Sequence, residues 1–135
     1  MRLAIGCILL IAFMLPAFGQ YSVERDGTVV RLRDATAQTS ITIVPAAGNQ
    51  AIEMMVKGQN VFRFPAASLE EFLKRPGMAG IPFLGPWANR LDEQAFYANG
   101  KKYIFNMGLG NVRGNIPIHG FLTSTSEWKV VEARA

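Results

Sequence analysis

His119 is the one histidine of this chain, and its side chain is the group whose charge changes most readily near neutral pH. It lies in the run IPIHGF, residues 116–121. The glycine that follows lets the backbone approach a bound molecule closely. Two interpretations remain open from these residues alone. His119 either binds and polarises a ligand, or is an ordinary histidine of the core or surface.

A second group of polar residues follows a tryptophan, with Trp87 preceding Asn89 and Arg90. The arginine offers a fork of donors, and the asparagine offers both a donor and an acceptor. Together with a flat aromatic wall, these groups suit a sugar, which has hydroxyls at its ring edge and C–H groups on its faces. The alternative is that Arg90 pairs with Asp92 or Glu93 and that the tryptophan belongs to the core.

Composition argues against several other kinds of site. With one histidine and one cysteine, Cys7, we expect no metal site and no cofactor. The net charge is +4, but its densest basic pairs, Lys74-Arg75 and Lys101-Lys102, are separated along the chain. Because nucleic-acid binding requires a basic stripe, we expect no nucleic-acid partner.

Residues 1–19 differ from the rest and are predicted to be a cleavable signal peptide. Arg2 is their one charge, an apolar run extends over residues 3–15, and small residues flank Phe18 before Gln20. The run is shorter than the roughly 20 residues that cross a bilayer. We therefore expect an exported protein, periplasmic or secreted, with no membrane attachment after cleavage. The remaining domain, residues 20–135, contains no cysteine and cannot rely on disulfides.

The elements that must position these side chains are mostly strands, since the hydrophobic period of the domain is two. Asp26-Gly27 and Asn99-Gly100 are typical of hairpin turns. A Ser followed three residues later by Glu predicts one short helix near 68–75, ended by Pro76. We expect residues 77–92 to form an irregular buried loop and residues 108–114 a turned loop. The predicted strands are residues 21–24, 28–32, 39–44, 51–56, 61–64, 96–98, 101–105 and 127–132.

The order of these motifs resembles the aldose 1-epimerase, or galactose mutarotase, family. The resemblance rests on the run GIPFLGPWANRL, residues 80–91, then Phe96, the NGKKY of residues 99–103, and His119-Gly120. It covers residues 20–135 and is most specific over 77–128. It implies an all-β fold: an antiparallel β-sandwich with a sugar cleft on one sheet, of which this chain holds an incomplete, N-terminal portion.

The resemblance also implies roles. Arg90 and Asn89 correspond to substrate-binding residues, and His119 to the first active-site histidine, a catalytic and substrate-binding position. The family reaction interconverts the α and β anomers of a hexose, with a second histidine as acid and a later glutamate as base. This sequence has no second histidine. We therefore expect a fragment that binds sugar and is inactive by itself.

Two alternatives stay open. The chain is a non-catalytic sugar-binding module, or it is a relative of hexose-6-phosphate epimerases. Many family members have a second glycine where this chain has Phe121, and His119-Gly120-Phe121 resembles the relatives that act on hexose 6-phosphates. An exported protein, however, would meet free sugars more often than phosphorylated ones.

Overall fold

A computed structural model describes residues 19–135. The predicted signal peptide therefore lies outside the described residues, except for Gly19. In the described part of the chain, no helix is long and apolar enough to cross a membrane.

The largest element is an antiparallel sheet of five strands in sequence order, each joined to the next by a short turn. Its first hairpin turns at Asp26, whose carboxylate accepts the backbone N–H groups of Thr28 and Val29. Between β3 and β4 the chain passes through a short 3₁₀ helix, Pro45–Ala47. The strands are β1 (Tyr21–Arg25), β2 (Val30–Asp34), β3 (Thr39–Val44), β4 (Gln50–Val56) and β5 (Gln59–Asn60).

The helix α1, Leu69–Lys74, confirms the predicted start signal. The Ser68 hydroxyl accepts the backbone N–H of Glu71 at 3.1 Å, and the Glu71 carboxylate accepts the N–H of Ala67 at 3.1 Å. Phe72 is the buried residue of this helix and packs with Phe64, ring centroids 5.4 Å apart. The helix thereby closes a core made by Val29, Val44, Ala47, Ile52, Phe72 and Ala79.

Two small hairpins follow. Strands β6 (Ala95–Ala98) and β7 (Lys101–Ile104) form the predicted Asn99-Gly100 hairpin, whose turn residues have φ of 50° and 71°. Strands β8 (Val112–Arg113) and β9 (Ile116–Pro117) form the other. The strands of this second hairpin have two residues each, too few to give a periodic signal, and β8 falls in the segment 108–114 that was predicted to be a loop.

The structure confirms the all-β fold class, with antiparallel sheets and one short α-helix. Two of the predicted strands are wrong. Residues 61–64 do not pair as a strand, because the Asn60 side chain accepts the N–H groups of Met54 and Phe62 and ends the ladder at β5.

Residues 127–132 are also not a strand, since no strand of the described residues pairs with them. Their apolar alternation is real: Trp128 and Val130 are half-buried, and Trp128 packs edge-on against Phe83 with centroids 5.2 Å apart. The pattern therefore marks which side chains of this segment are shielded, and the aromatic contact of Trp128 is with the 77–92 loop.

The loop of residues 77–92 is irregular, as predicted, but it is not buried. Ala79 and Gly85 are its buried residues, and the others are exposed or half-buried. Isolated bridges fasten it at Ile81, Gly85 and Arg90. Backbone hydrogen bonds to neighbouring segments, rather than burial of apolar side chains, fix the conformation of this loop.

Candidate functional site

The end of the 77–92 loop and the segment after β9 are joined side by side. Arg90 forms an antiparallel bridge with Ile118, and Leu91 donates its backbone N–H to Pro117 at 3.1 Å. Gly85 forms a parallel bridge with Gly120. The two sequence segments singled out for chemistry, some thirty residues apart in the chain, therefore meet in space.

Asn89 and His119 make reciprocal contacts at the centre of this junction. The backbone N–H of Asn89 donates to Nδ1 of His119 at 3.0 Å, and the backbone N–H of His119 donates to the carbonyl oxygen of Asn89 at 2.9 Å. Both residues have φ of 61°. Few non-glycine residues adopt this left-handed conformation, and asparagine and histidine are among those that adopt it most often.

This contact fixes the form of the imidazole. A backbone amide can only donate, so Nδ1 of His119 is an acceptor and carries no proton. In the neutral ring the proton therefore resides on Nε2. The side chain is half-buried, and Nε2–H is its remaining hydrogen-bond donor.

Arg90 is attached to the same group through Asn89. One guanidinium nitrogen, Nη1, donates to the Asn89 side-chain oxygen at 3.3 Å. Within the described residues Arg90 makes no ion pair, and Glu93 is paired instead with Lys102 at 2.6 Å. The expected alternative, an Arg90 pair with Asp92 or Glu93, is absent from this part of the chain. The exposed guanidinium keeps donors available for a ligand.

Trp87 packs as a core-type residue. Its ring meets Phe105 edge-on with centroids 5.1 Å apart and Phe121 at 6.2 Å. The indole N–H is buried and has no hydrogen-bond partner among the described residues. Trp87 is half-buried, and its aromatic contacts anchor the part of the loop that carries Asn89 and Arg90.

Two further residues, which the sequence analysis did not identify, support the histidine. The buried hydroxyl of Thr123 donates to the carbonyl oxygen of His119 at 3.1 Å. The Asn111 side-chain amide donates to the carbonyl oxygen of Gly120 at 3.1 Å and to the Thr123 hydroxyl at 3.2 Å. The one sequence signal for this arrangement is a threonine four residues after the histidine, which is a weak signal.

The cavities lie beside these residues rather than around them. His119 lines a cavity of about 230 Å³ together with Pro76, Met78, Asn111 and Thr123, whereas Asn89 and Arg90 do not line it. Two larger depressions, of about 450 Å³ and 770 Å³, lie on the five-stranded sheet, and none of the three candidate residues lines them. Asn89 and Arg90 therefore present their groups on an open shelf. The hydrogen bonds that link Asn89 to His119 and to Arg90, rather than a shared cavity, define the candidate site.

No metal-binding group forms in the part of the chain that the structure describes: residues 19–135 contain no cluster of three or more His, Cys, Asp or Glu side chains.

The fold is all-β. The candidate site lies on loops and consists of amide, guanidinium and imidazole groups. A search of protein-family models matches residues 29–135 to aldose 1-epimerase. The chain thus belongs to the aldose 1-epimerase family, and family membership implies sugar binding. A search among curated proteins found no match to this chain.

Proposed function

We propose that this chain binds a hexose on the shelf formed by Asn89, Arg90 and His119. The observation that carries the proposal is the reciprocal pair of hydrogen bonds between Asn89 and His119, which ties an imidazole donor to the residue next to an exposed guanidinium. A fixed Nε2–H and a fork of guanidinium donors suit the vicinal hydroxyls and ring oxygen of a pyranose. The family match supports a sugar as the ligand.

The proposal also addresses the reaction of the family, which is the interconversion of sugar anomers. The reaction needs a general acid and a general base, each within about 3 Å of its target directly or through one water. His119 uses Nδ1 for the Asn89 contact, so in the neutral ring it donates through Nε2 and polarises a sugar oxygen. The chain has no second histidine. We therefore expect residues 20–135 to bind sugar while leaving anomer exchange, followed by NMR, near the rate in buffer.

Binding is tested by titrating ¹⁵N-labelled protein with glucose, galactose and glucose 6-phosphate and following the backbone amides of Asn89 and His119. Arg90→Ala should weaken binding of the preferred sugar about tenfold or more, because hydrogen bonds to a charged group contribute about 1.5–3 kcal/mol. Arg63→Ala, which removes an exposed arginine outside the site, is the matched control.

His119→Asn tests the imidazole with little cost to folding, since asparagine tolerates positive φ. It should weaken sugar binding while the spectrum remains that of a folded chain. If none of the three sugars shifts the two amides, or if Arg90→Ala binds as tightly as Arg63→Ala, the shelf is not a sugar site. Preference for glucose 6-phosphate over both free hexoses would instead favour the hexose-6-phosphate relative.

We propose in addition that residues 1–19 direct export and are removed, leaving residues 20–135 as the domain. The apolar run and small-residue cleavage site support this assignment. Intact-mass measurement of the protein recovered from the periplasm or medium should give a chain beginning at Gln20. Recovery of the uncut chain in the cytoplasm would contradict it.

A further inference from the structure

Strand β1 lies at one edge of the five-stranded sheet, and no strand of the described residues pairs with its outer side. The direction of its backbone groups follows from the bonds that flank it. Ala35 donates to the carbonyl oxygen of Gln20 at 2.8 Å, and Asp26 donates to that of Val29 at 3.4 Å. Even-numbered residues therefore face β2, and Tyr21, Val23 and Arg25 point their N–H and C=O groups outward.

We propose that the outer edge of β1 pairs with β1 of a second copy of this chain, antiparallel and with its two-fold axis at Val23. In this register Val23 faces Val23 of the second copy, and Tyr21 faces Arg25. The outward groups of all three residues then exchange hydrogen bonds, as an antiparallel ladder requires. A two-fold contact of this kind is self-complementary by construction.

The side chains of β1 select this register. Tyr21 opposite Arg25 brings a cation over an aromatic ring, and Ser22 opposite Glu24 pairs a hydroxyl donor with a carboxylate. A two-fold axis at Glu24 would place two glutamates directly opposite each other, which is destabilising. An axis at Ser22 would leave Arg25 with no residue opposite it in the chain that begins at Gln20. The register at Val23 is the one that uses the whole strand without opposing like charges.

The pairing also continues an apolar row already present in one copy. Val23, Leu32, Ile41 and Met54 are direct cross-strand neighbours on one face of the sheet. Tyr21 and Leu32 on this face are 61% and 38% exposed. Joining two β1 strands places the row of one copy end to end with that of the other. A second copy of the chain thus extends both the ladder and the apolar face.

The test is sedimentation velocity of the chain, expressed from its full reading frame, over a range of concentrations. We expect a concentration-dependent dimer. Tyr21→Arg should weaken dimerisation at least about tenfold, because it places two arginines opposite each other. The double variant Tyr21→Arg/Arg25→Tyr restores one arginine opposite one tyrosine and should recover dimerisation. A monomer at all concentrations, or a double variant no better than Tyr21→Arg, overturns the proposal.

Cysteine trapping locates the contact. In the chain that begins at Gln20, which contains no cysteine, Val23→Cys should form a disulfide dimer on oxidation, since paired Cα atoms lie about 5.5 Å apart across such a ladder. Lys101→Cys, on the exposed β6–β7 hairpin, is the matched control and should remain uncrosslinked. Equal crosslinking of both variants would show that the dimer, if formed, does not use β1.

Discussion

The candidate site depends on three residues with left-handed backbone. Asn89 and His119 have φ of 61°, and Gly120 has φ of 63°. Such a conformation costs a non-glycine residue about 1–2 kcal/mol. The hydrogen bonds from Thr123 and Asn111 to the carbonyl oxygens of His119 and Gly120 hold this conformation in place. The orientation of the imidazole is thus set by a backbone conformation that the surrounding segments impose.

Gly120 tests this dependence, because a Cβ there would lie 1.9 Å from the carbonyl oxygen of Gly85. Gly120→Ala must separate the two segments that carry the site. Gly114→Ala is the matched control, since Gly114 has a similar φ of 67° but a Cβ added there would meet no atom within 4 Å. We expect Gly120→Ala to cost about 1–3 kcal/mol more than Gly114→Ala in urea unfolding, and to move the His119 resonances. Equal losses in the two variants would contradict the close contact.

The sequence was sufficient to identify Asn89, Arg90 and His119, because their types and order carry the chemistry and the family resemblance. The sequence did not identify Thr123 and Asn111 as residues that support the histidine. Their side chains donate hydrogen bonds to the carbonyl oxygens of His119 and Gly120, and that of Asn111 also donates to the Thr123 hydroxyl; such bonds leave no periodic pattern in the sequence. The role of the three candidate residues in sugar binding stays a prediction.

At the scale of the elements, the β6–β7 hairpin shows how local signals build a structure with few buried residues. Its turn residues adopt positive φ, and on one face Phe96 stacks on Tyr103 with ring centroids 5.2 Å apart. Glu93 lies at its base and accepts hydrogen bonds from Lys102 at 2.6 Å and from the Tyr97 hydroxyl at 3.1 Å. Turn chemistry and cross-strand contacts stabilise this ribbon in place of a core.

These contacts predict a pH dependence of stability. The hydrogen bond from Lys102 lowers the pKa of Glu93, and the same contact raises the pKa of Lys102. The Glu93 contribution is therefore present above the unfolded-state pKa of glutamate and is lost as pH falls through the lower folded-state value. The Lys102 contribution is lost as pH rises through its raised value. Glu93→Gln should lower Tm slightly at neutral pH, since exposed ion pairs contribute little, and should have no effect in acid.

A double-mutant cycle provides the control for that experiment. In a Lys102→Gln background, the pH-dependent effect of Glu93→Gln on Tm should shrink without vanishing, because the Tyr97 hydroxyl still donates to the carboxylate. A pH-dependent difference of undiminished size without Lys102 would assign the effect to another contact.

Periodicity and turn chemistry predicted β1, β2, β3, β4, α1 and the β6–β7 hairpin, each within about two residues of its observed bounds. They failed at two segments, where a side-chain hydrogen bond or the lack of a neighbouring strand prevented strand pairing. Asn60 ends the sheet ladder with its own amide oxygen, and residues 127–132 alternate in burial without a strand beside them. A period of two marks which side chains are buried, but pairing depends on a neighbouring backbone that a single segment does not reveal.

At the scale of the whole molecule, one buried polar side chain forms hydrogen bonds to three separate segments of the chain. Gln50 is fully buried at the start of β4. Its amide nitrogen lies 2.9 Å from the carbonyl oxygens of Ala47 and Gly77 and 3.2 Å from that of Thr123. Its amide oxygen accepts the backbone N–H of Ala79 at 2.9 Å. The sheet, the loop after α1 and the segment after His119 are therefore tied together through one residue.

Gln50→Leu should be among the most destabilising single changes in this chain. Leucine has a similar volume but leaves the N–H of Ala79 and the three carbonyl oxygens without this partner, and each unsatisfied buried group costs about 1–3 kcal/mol. We expect a loss of about 3 kcal/mol or more in urea unfolding, with amide shifts that extend from Ala79 to Thr123. Gln59→Leu, at an exposed position of β5, is the matched control and should change stability by less than about 0.5 kcal/mol. A Gln50→Leu variant as stable as this control would show that apolar packing, rather than this hydrogen-bonded junction, holds the segments together.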